Sequence, residues 1–331
     1  MQLMSQCQIA RWVSATLLVA GVGLAGGAAA AENLRFAHVY ETSEPFHQWA
    51  LWAADEIEER TDGRYTMQVY AASSLGKEED INEGLQLGTV DIIYTGTQFA
   101  GRFYGPIGIA GAAYMFRNFD HWQAYADSEL FEEISQGYQG ATGNVPLALN
   151  YYGERHVTAN KAINTPEDMS NLRIRVPNAP LYMMFPRAAG ANPTPIAFDE
   201  VYLALQQGVV DAQENPLPTI RAKAFHEVQE HINLTGHITD SLITIVGGPR
   251  WNQLSEEDRE IFREVFQEAA RNNTQEIVQA EQELIAWFEE QGNTVNQVDR
   301  APFREVVEPQ HLGDAATWDE ETYDRLQAIG Q

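Results

Sequence analysis

Cysteine is almost missing: Cys7 stands alone among 331 residues, in a leader expected to be removed. The rest of the chain has no thiol, which excludes disulfides, thiolate metal sites and cysteine nucleophiles. Basic residues are scarce too, 21 against 47 acidic ones, for a net charge of −26. A surface of that sign repels nucleic acid and anionic lipid. It also repels an anionic solute at long range, so binding one requires arginine concentrated in one place.

Catalytic motifs are lacking as well. The chain beyond the leader has no Gly-x-Ser-x-Gly elbow and no phosphate-cradling loop. His226-Glu227-Val228-Gln229-Glu230-His231 approaches a metalloprotease signature, but that needs histidines four apart, and position 230 is glutamate. Paired acids such as Asp199-Glu200 and Glu256-Glu257 sit at helix starts, where the macrodipole accounts for them. His38 and His47 have no metal-ligand cluster around them in the sequence. Nothing argues for catalysis, and no metal or cofactor is implied.

Residues 1–31 carry one charge, Arg11, then an apolar run from Trp12 to Leu24 and Ala29-Ala30-Ala31 ahead of Glu32. This order reads as a secretory signal peptide, too short and too weakly flanked for a transmembrane anchor. Gly21-Val22-Gly23-Leu24-Ala25-Gly26 matches a dinucleotide fingerprint, but no strand precedes it and it lies in the leader. With no cysteine at the cleavage point, a lipid anchor is excluded. The expectation is a free, soluble periplasmic protein whose net charge becomes −27 once Arg11 is gone.

The stretch around which the chain is organised is Leu172-Arg173-Ile174-Arg175-Val176-Pro177. Leu172, Ile174 and Val176 face one way in a strand and the two arginines the other. Strands of an α/β sheet are usually buried on both faces and carry few charges. Either both guanidiniums lie at an edge among solvent and acids, or one points from the strand end into a cleft and grips a carboxylate with its planar fork.

The flanking chain alternates strand and helix: strands at Leu34–Val39, Tyr65–Tyr70, Val90–Tyr94 and Leu147–Tyr151, with helices after Pro45, up to Leu87, from Thr165 and over Asp199–Gln207. That order predicts an α/β fold with parallel pairing and right-handed crossovers. Leu85-Gln86-Leu87-Gly88-Thr89-Val90-Asp91 recurs 120 residues later as Leu205-Gln206-Gln207-Gly208-Val209-Val210-Asp211, which suggests two similar lobes. Their strand ends, Thr95-Gly96-Thr97-Gln98 and Gln213-Glu214-Asn215-Pro216, would face each other across a cleft. A long helix opens at Ser255-Glu256-Glu257-Asp258 and ends near Gly292. At 1.5 Å per residue it reaches about 50 Å, further than one lobe is wide.

Gly153-Glu154-Arg155, Arg173 to Asn178, Gly190-Ala191-Asn192-Pro193-Thr194-Pro195, Phe198 to Gln206 and Val210 to Pro216 appear in an order that resembles the extracytoplasmic solute-binding proteins of tripartite ATP-independent periplasmic (TRAP) transporters, the DctP type. The resemblance covers essentially the whole chain after the leader. It implies a two-lobed periplasmic-binding-protein-like fold with a long helix spanning both lobes. The expected division is residues 32–152 with about 241–280 in lobe one, and about 153–240 with 281–331 in lobe two. Arg175 falls on the family's carboxylate-binding arginine, Arg155 on an assisting arginine, Asn215 on an asparagine and Phe198 on an aromatic of the pocket. For Arg155 and Asn215 the alternative is that they only join the lobes by hydrogen bonds.

Members that bind sialic acid carry a glutamate and an arginine where this chain has Thr95 and Gln98. The resemblance therefore points to a sugar acid such as a hexuronate or keto-aldonate, with Thr95, Thr97, Gln98, His38 and Glu41 available for its hydroxyls. A C4-dicarboxylate or keto acid is the second choice; a zwitterionic osmolyte or a periplasmic enzyme acting on acidic sugars is further off. The implied partners are the small and large TRAP membrane subunits, with the binding protein itself monomeric.

Overall fold

Parallel pairing of β1 (Glu32–Ala37) with β2 (Tyr65–Tyr70) starts the fold in a computed structural model that describes residues 31–331. The signal-peptide reading, with Arg11 and Cys7, falls outside the described residues. β3 (Ile92–Gly96), β4 (Val145–Ala159), β5 (Arg173–Val176), β6 (Asn192–Pro195), β7 (Ala212–Pro216), β8 (His231–Val246) and β9 (Thr294–Gln297) complete one mixed sheet. Its order is β2-β1-β3-β8-β4-β7-β5-β6, with β9 beside β8.

The order explains the two lobes. β2, β1 and β3 pair in parallel at one end, and β6, β5 and β7 at the other. Between them run the two long antiparallel strands β4 and β8, in register from Val145↔Val246 to Ala159↔His231. A large apolar cluster, including Phe36, Ile92, Ile243 and Phe266, fills most of the molecule. A smaller one, with Val201, Ile220, Phe225 and Phe288, lies under the β7 end.

The internal echo extends to side chains. β3 and β7 occupy positions offset by 120, Ile92–Gly96 and Ala212–Pro216. In the first lobe Asp91 accepts both the backbone N–H of Arg35 at 2.8 Å and its Nε at 3.2 Å. In the second, Asp211 accepts the backbone N–H of Arg173 at 3.3 Å and its Nε at 2.9 Å. The same clasp joins strand and helix-to-strand joint in each half.

The long helix runs Glu256–Glu290, 35 residues, capped by Ser255, whose hydroxyl accepts the backbone N–H of Asp258. Two expectations were too generous. Thr165 caps only a single 3₁₀ turn, Pro166–Met169, and the helix before Gly208 is α-helical only from Val201 to Gln206. β8, one of the crossing strands that the resemblance implies, carries no local strand signal of its own. Asn233, Thr235, His237, Thr239, Asp240 and Ser241 give it a polar reading, yet every one is buried, because β8 is covered on both faces where it crosses the molecule.

Candidate functional site

The two arginines of β5 divide the two readings between them. Arg173 is half-exposed and held by Asp211 at 2.5 Å, a surface ion pair. Arg175, two residues on and nearer the strand end, is 1 % exposed. Its Nε donates to the carbonyl of Ile196 at 2.9 Å. Its Nη1 is buried with no hydrogen-bond partner. Burial, reinforced by the like charge of Arg155 and offset by Glu214, lowers Arg175 to about 10. It stays cationic at neutral pH, with donors unspent.

Arg155 stands beside it on β4 and is equally buried, but fully engaged. Its Nε and Nη2 hold both carboxylate oxygens of Glu214, Nη2 also reaches the Asn215 Oδ1 at 3.1 Å, and Nη1 donates to Asp240 at 3.0 Å. The rings of Tyr182 and Tyr152 lie 5.0 and 5.6 Å from its guanidinium carbon. Burial raises Asp240, opposed by Arg155, whereas Glu214 is held low because Arg155 and His237 outweigh its burial. Arg155 with Glu214 and Asp240 forms a paired set, which burial tolerates where isolated charges would be prohibitive; among the described residues Arg175 makes no ion pair of its own.

Arg155, Arg175 and Asn215 line a cavity of about 30 Å³ at the ends of β5 and β7, closed on the other side by Tyr40, Glu78 and Phe99. Four residues anticipated from sequence line it: Arg175, Arg155, Asn215 and Phe198. The other five lie behind the wall. Thr95 donates to Glu78 at 2.9 Å and accepts from Asn82 at 2.8 Å. Gln98 donates to Asp240 and to the carbonyl of Gly111, both at 2.9 Å, with the buried Thr97 beside it. His38 faces His47 at 3.2 Å, and burial pushes it down to about 3, so it is neutral. Glu41 pairs with Lys223 at 2.7 Å. Each was expected among the residues that meet the ligand's hydroxyls; none lines this cavity, and each bonds to or packs on a neighbour.

The first lobe offers other residues to the cavity: Tyr40, Ser73, Lys77, Glu78 and Phe99. Burial pushes the Glu78 carboxyl up to about 7, against the N–H of Gly96 and the hydroxyl of Thr95. Sequence reasoning missed Tyr152, Tyr182 and Glu78. A carboxylate in the helix's first turn has a surface explanation, and only the fold turns it inward. His226, of the discarded zinc motif, packs on Trp287 and Phe288. Among the described residues no cluster of His, Cys, Asp and Glu is placed to hold a metal.

Two lobes joined by long crossing strands, with a buried, incompletely bonded guanidinium in the cleft, define a solute-binding architecture. The chain belongs to the DctP family, bacterial extracellular solute-binding protein family 7, whose profile matches residues 36–315. It is 31 % identical over 294 residues to the sialic acid-binding periplasmic protein SiaP of Vibrio cholerae, covering 89 % of this chain and 92 % of that one. Among solved structures it is similar to a TRAP periplasmic solute-binding protein from Polaromonas bound to D-erythronate, with TM-score 0.86, 31 % identity, and 91 % and 99 % of the two chains covered. A third relative, a TRAP solute-binding protein from Roseobacter denitrificans with bound L-galactonate, gives TM-score 0.84 at 31 % identity, with the same coverage. Such homologues are binding proteins, not enzymes. No helix among the described residues is long and apolar enough to cross a membrane.

Proposed function

We propose that this protein captures a small sugar acid, a hexuronate or keto-aldonate, in the periplasm and hands it to the membrane subunits of a TRAP transporter. The observation that carries the reading is the unpartnered Nη1 of Arg175, a buried cation waiting for an anion. A planar carboxylate answers the guanidinium fork with two parallel hydrogen bonds. Arg155 and Asn215 hold the floor in place, Phe198 packs on the Arg175 head, and Tyr40, Tyr152 and Tyr182 line the rest of the wall. The erythronate and galactonate of the relatives combine the same two features, one carboxylate and several hydroxyls.

Binding requires opening. A cavity of about 30 Å³ is small beside the roughly 300–1,000 Å³ of ordinary ligand sites. The lobes, 32–152 with about 241–280 and about 153–240 with 281–331, part on β4 and β8, admit the anion and close over its hydroxyls. Register shifts at Tyr151/Gly153 and Arg155/Val157, irregularities in the β4–β8 ladder, support bending there. Gly153 has φ +119, and a Cβ there would stand 2.8 Å from Pro216 Cβ. The closed form docks as a monomer on the small and large membrane subunits, and an ion gradient drives release. The leader at 1–31 takes the protein out of the cytoplasm and is cut away.

A thermal-shift panel of hexuronates, aldonates, keto-aldonates, C4-dicarboxylates and ectoine-like osmolytes tests this on residues 32–331. A ligand that binds the folded state alone raises the midpoint by mass action. A shift with a sugar acid and none with succinate is the expected result. A shift with succinate alone would overturn the substrate class.

A further inference from the structure

Five charged side chains border the cavity: Lys77, Glu78, Glu79, Arg155 and Arg175. Three are spent on other residues. Lys77 is paired with Glu200 at 3.0 Å, Glu79 accepts the side-chain amide of Asn178, and Arg155 is engaged by Glu214 and Asp240. The two with capacity left are Arg175, through Nη1, and Glu78. The bonds from Thr95 and from the Gly96 N–H both fall on Glu78 Oε1, which leaves Oε2 as an acceptor at the wall. Arg175 belongs to the end of β5 and Glu78 to the first turn of the helix Glu78–Leu87, on the other lobe. The phenol oxygen of Tyr182 and Glu78 Oε1 converge near Gly96, 2.9 and 3.7 Å from where a Cβ on that glycine would stand.

Resting on the sugar-acid reading, we propose that Glu78 is the specificity-determining residue of the cavity. It accepts a hydroxyl at the end of the ligand away from Arg175 and rejects a second carboxylate there. Once Arg175 has met the first carboxylate, no unpaired cation at the floor is left to offset a second anion. A ligand bearing one carboxylate and a distal hydroxyl satisfies both ends. A dicarboxylate of the same length places an anion against Glu78, with Lys77 already held by Glu200. Specificity of this kind comes from a repulsive element as much as from an attractive one.

Galactonate and galactarate test it, since they share a carbon chain and its hydroxyls and differ in whether the far terminus is an alcohol or a carboxylate. Calorimetric affinities are measured at pH 8, above the value to which burial raises Glu78. The native protein is expected to favour galactonate by about tenfold or more, one charge-assisted hydrogen bond's worth. Glu78→Gln keeps an oxygen for Thr95 and Gly96 and turns an amide donor to the cavity, so the preference falls by about tenfold. Glu78→Asp retains the charge and retains the preference. An unchanged ratio in Glu78→Gln overturns the inference and leaves the sugar-acid reading standing. Absence of galactonate binding to the native protein overturns the inference; the sugar-acid reading falls only if the hexuronates and keto-aldonates of the thermal-shift panel fail as well. Arg175→Met separates the two sites, because it loses both ligands together.

Discussion

The guanidinium of Arg175 lies against the ring of Phe198, 5.9 Å from its centroid, buried and short of one hydrogen-bond partner. A buried unsatisfied donor costs roughly 1–3 kcal/mol, and natural sites retain such strain where function needs it. Arg175→Met is therefore expected to abolish binding of sugar acids while melting no lower than the native protein without ligand. Arg175→Lys binds poorly too, because a point charge cannot reproduce a two-pronged contact. Titration calorimetry with thermal melts on the same samples checks both halves. Native affinity in either variant would remove Arg175 from the site.

Arg155 predicts the opposite balance. Its head is the counter-charge of Glu214 and Asp240, all three buried. Removing one member of a buried ionic set leaves uncompensated charge and costs about 3–5 kcal/mol. Arg155→Ala is thus expected to lower the melting temperature sharply, as Arg175→Met does not. Equal melts for the two variants would mean that Arg155 is not the clamp of the crossing strands.

How much of this could be read from the chain alone follows from the reach of each signal. The lobes, the long helix and the importance of Arg175 rest on periodicity, caps and an ordered run of motifs, which are local. Alternation along β5 does not tell Arg173 from Arg175, since both point to the same face; the run of motifs singles out Arg175, and the neighbours, Asp211 for one and the cleft for the other, give the physical difference. Thr95, Thr97, Gln98, His38 and Glu41 stand behind the cavity lining; a sequence shows which residues end a strand but not which stand in front of them. Glu78 and Tyr182 come together from positions more than a hundred residues apart, and nothing local announces it. β8 was hidden for a related reason: its polar residues are satisfied by partners from distant elements, such as Gln98 on Asp240 and Trp122 on Ser241.

Lys223 joins the lobes at the cleft. Its Nζ sits 2.7 Å from Glu41 and 5.0 Å from the centroid of Phe198, and the adjacent Thr219 donates to Glu44 at 2.7 Å. Both ions of the pair are largely shielded, so the contact exceeds an exposed bridge such as Lys77–Glu200, of about 0–1 kcal/mol. Lys223→Met and Glu41→Gln should each speed ligand release by several-fold, about 1 kcal/mol. The double variant should be little worse than either single one. Stopped-flow dissociation measures this; additive effects would show that the two side chains do not act as a pair.

Glu281, on the long helix, ties that helix to the crossing strands. Its carboxyl accepts the backbone N–H of Glu154 at 2.6 Å and the phenol of Tyr151 at 3.0 Å. Burial, helped by the nearby Glu154 carboxylate and opposed by that N–H bond, pushes it from the ordinary 4.5 up to about 8. The folded state then holds a proton that the unfolded state has released across that interval. Its contribution to stability is complete below about pH 4.5 and is lost as the pH rises through about 8, at up to about 1 kcal/mol per pH unit. Glu44 and Glu78, both raised to about 7, act with the same sign. The buried neutral histidines, His38 among them, act with the opposite sign on the acid side, where unfolding takes up protons. The difference between native protein and Glu281→Gln cancels those shared contributions. Urea unfolding of the two from pH 5 to pH 9 should show the native protein losing ground to the variant steadily as the pH rises. Parallel curves across the range would mean that Glu281 is charged in the fold and that its bonds to Tyr151 and Glu154 hold a carboxylate.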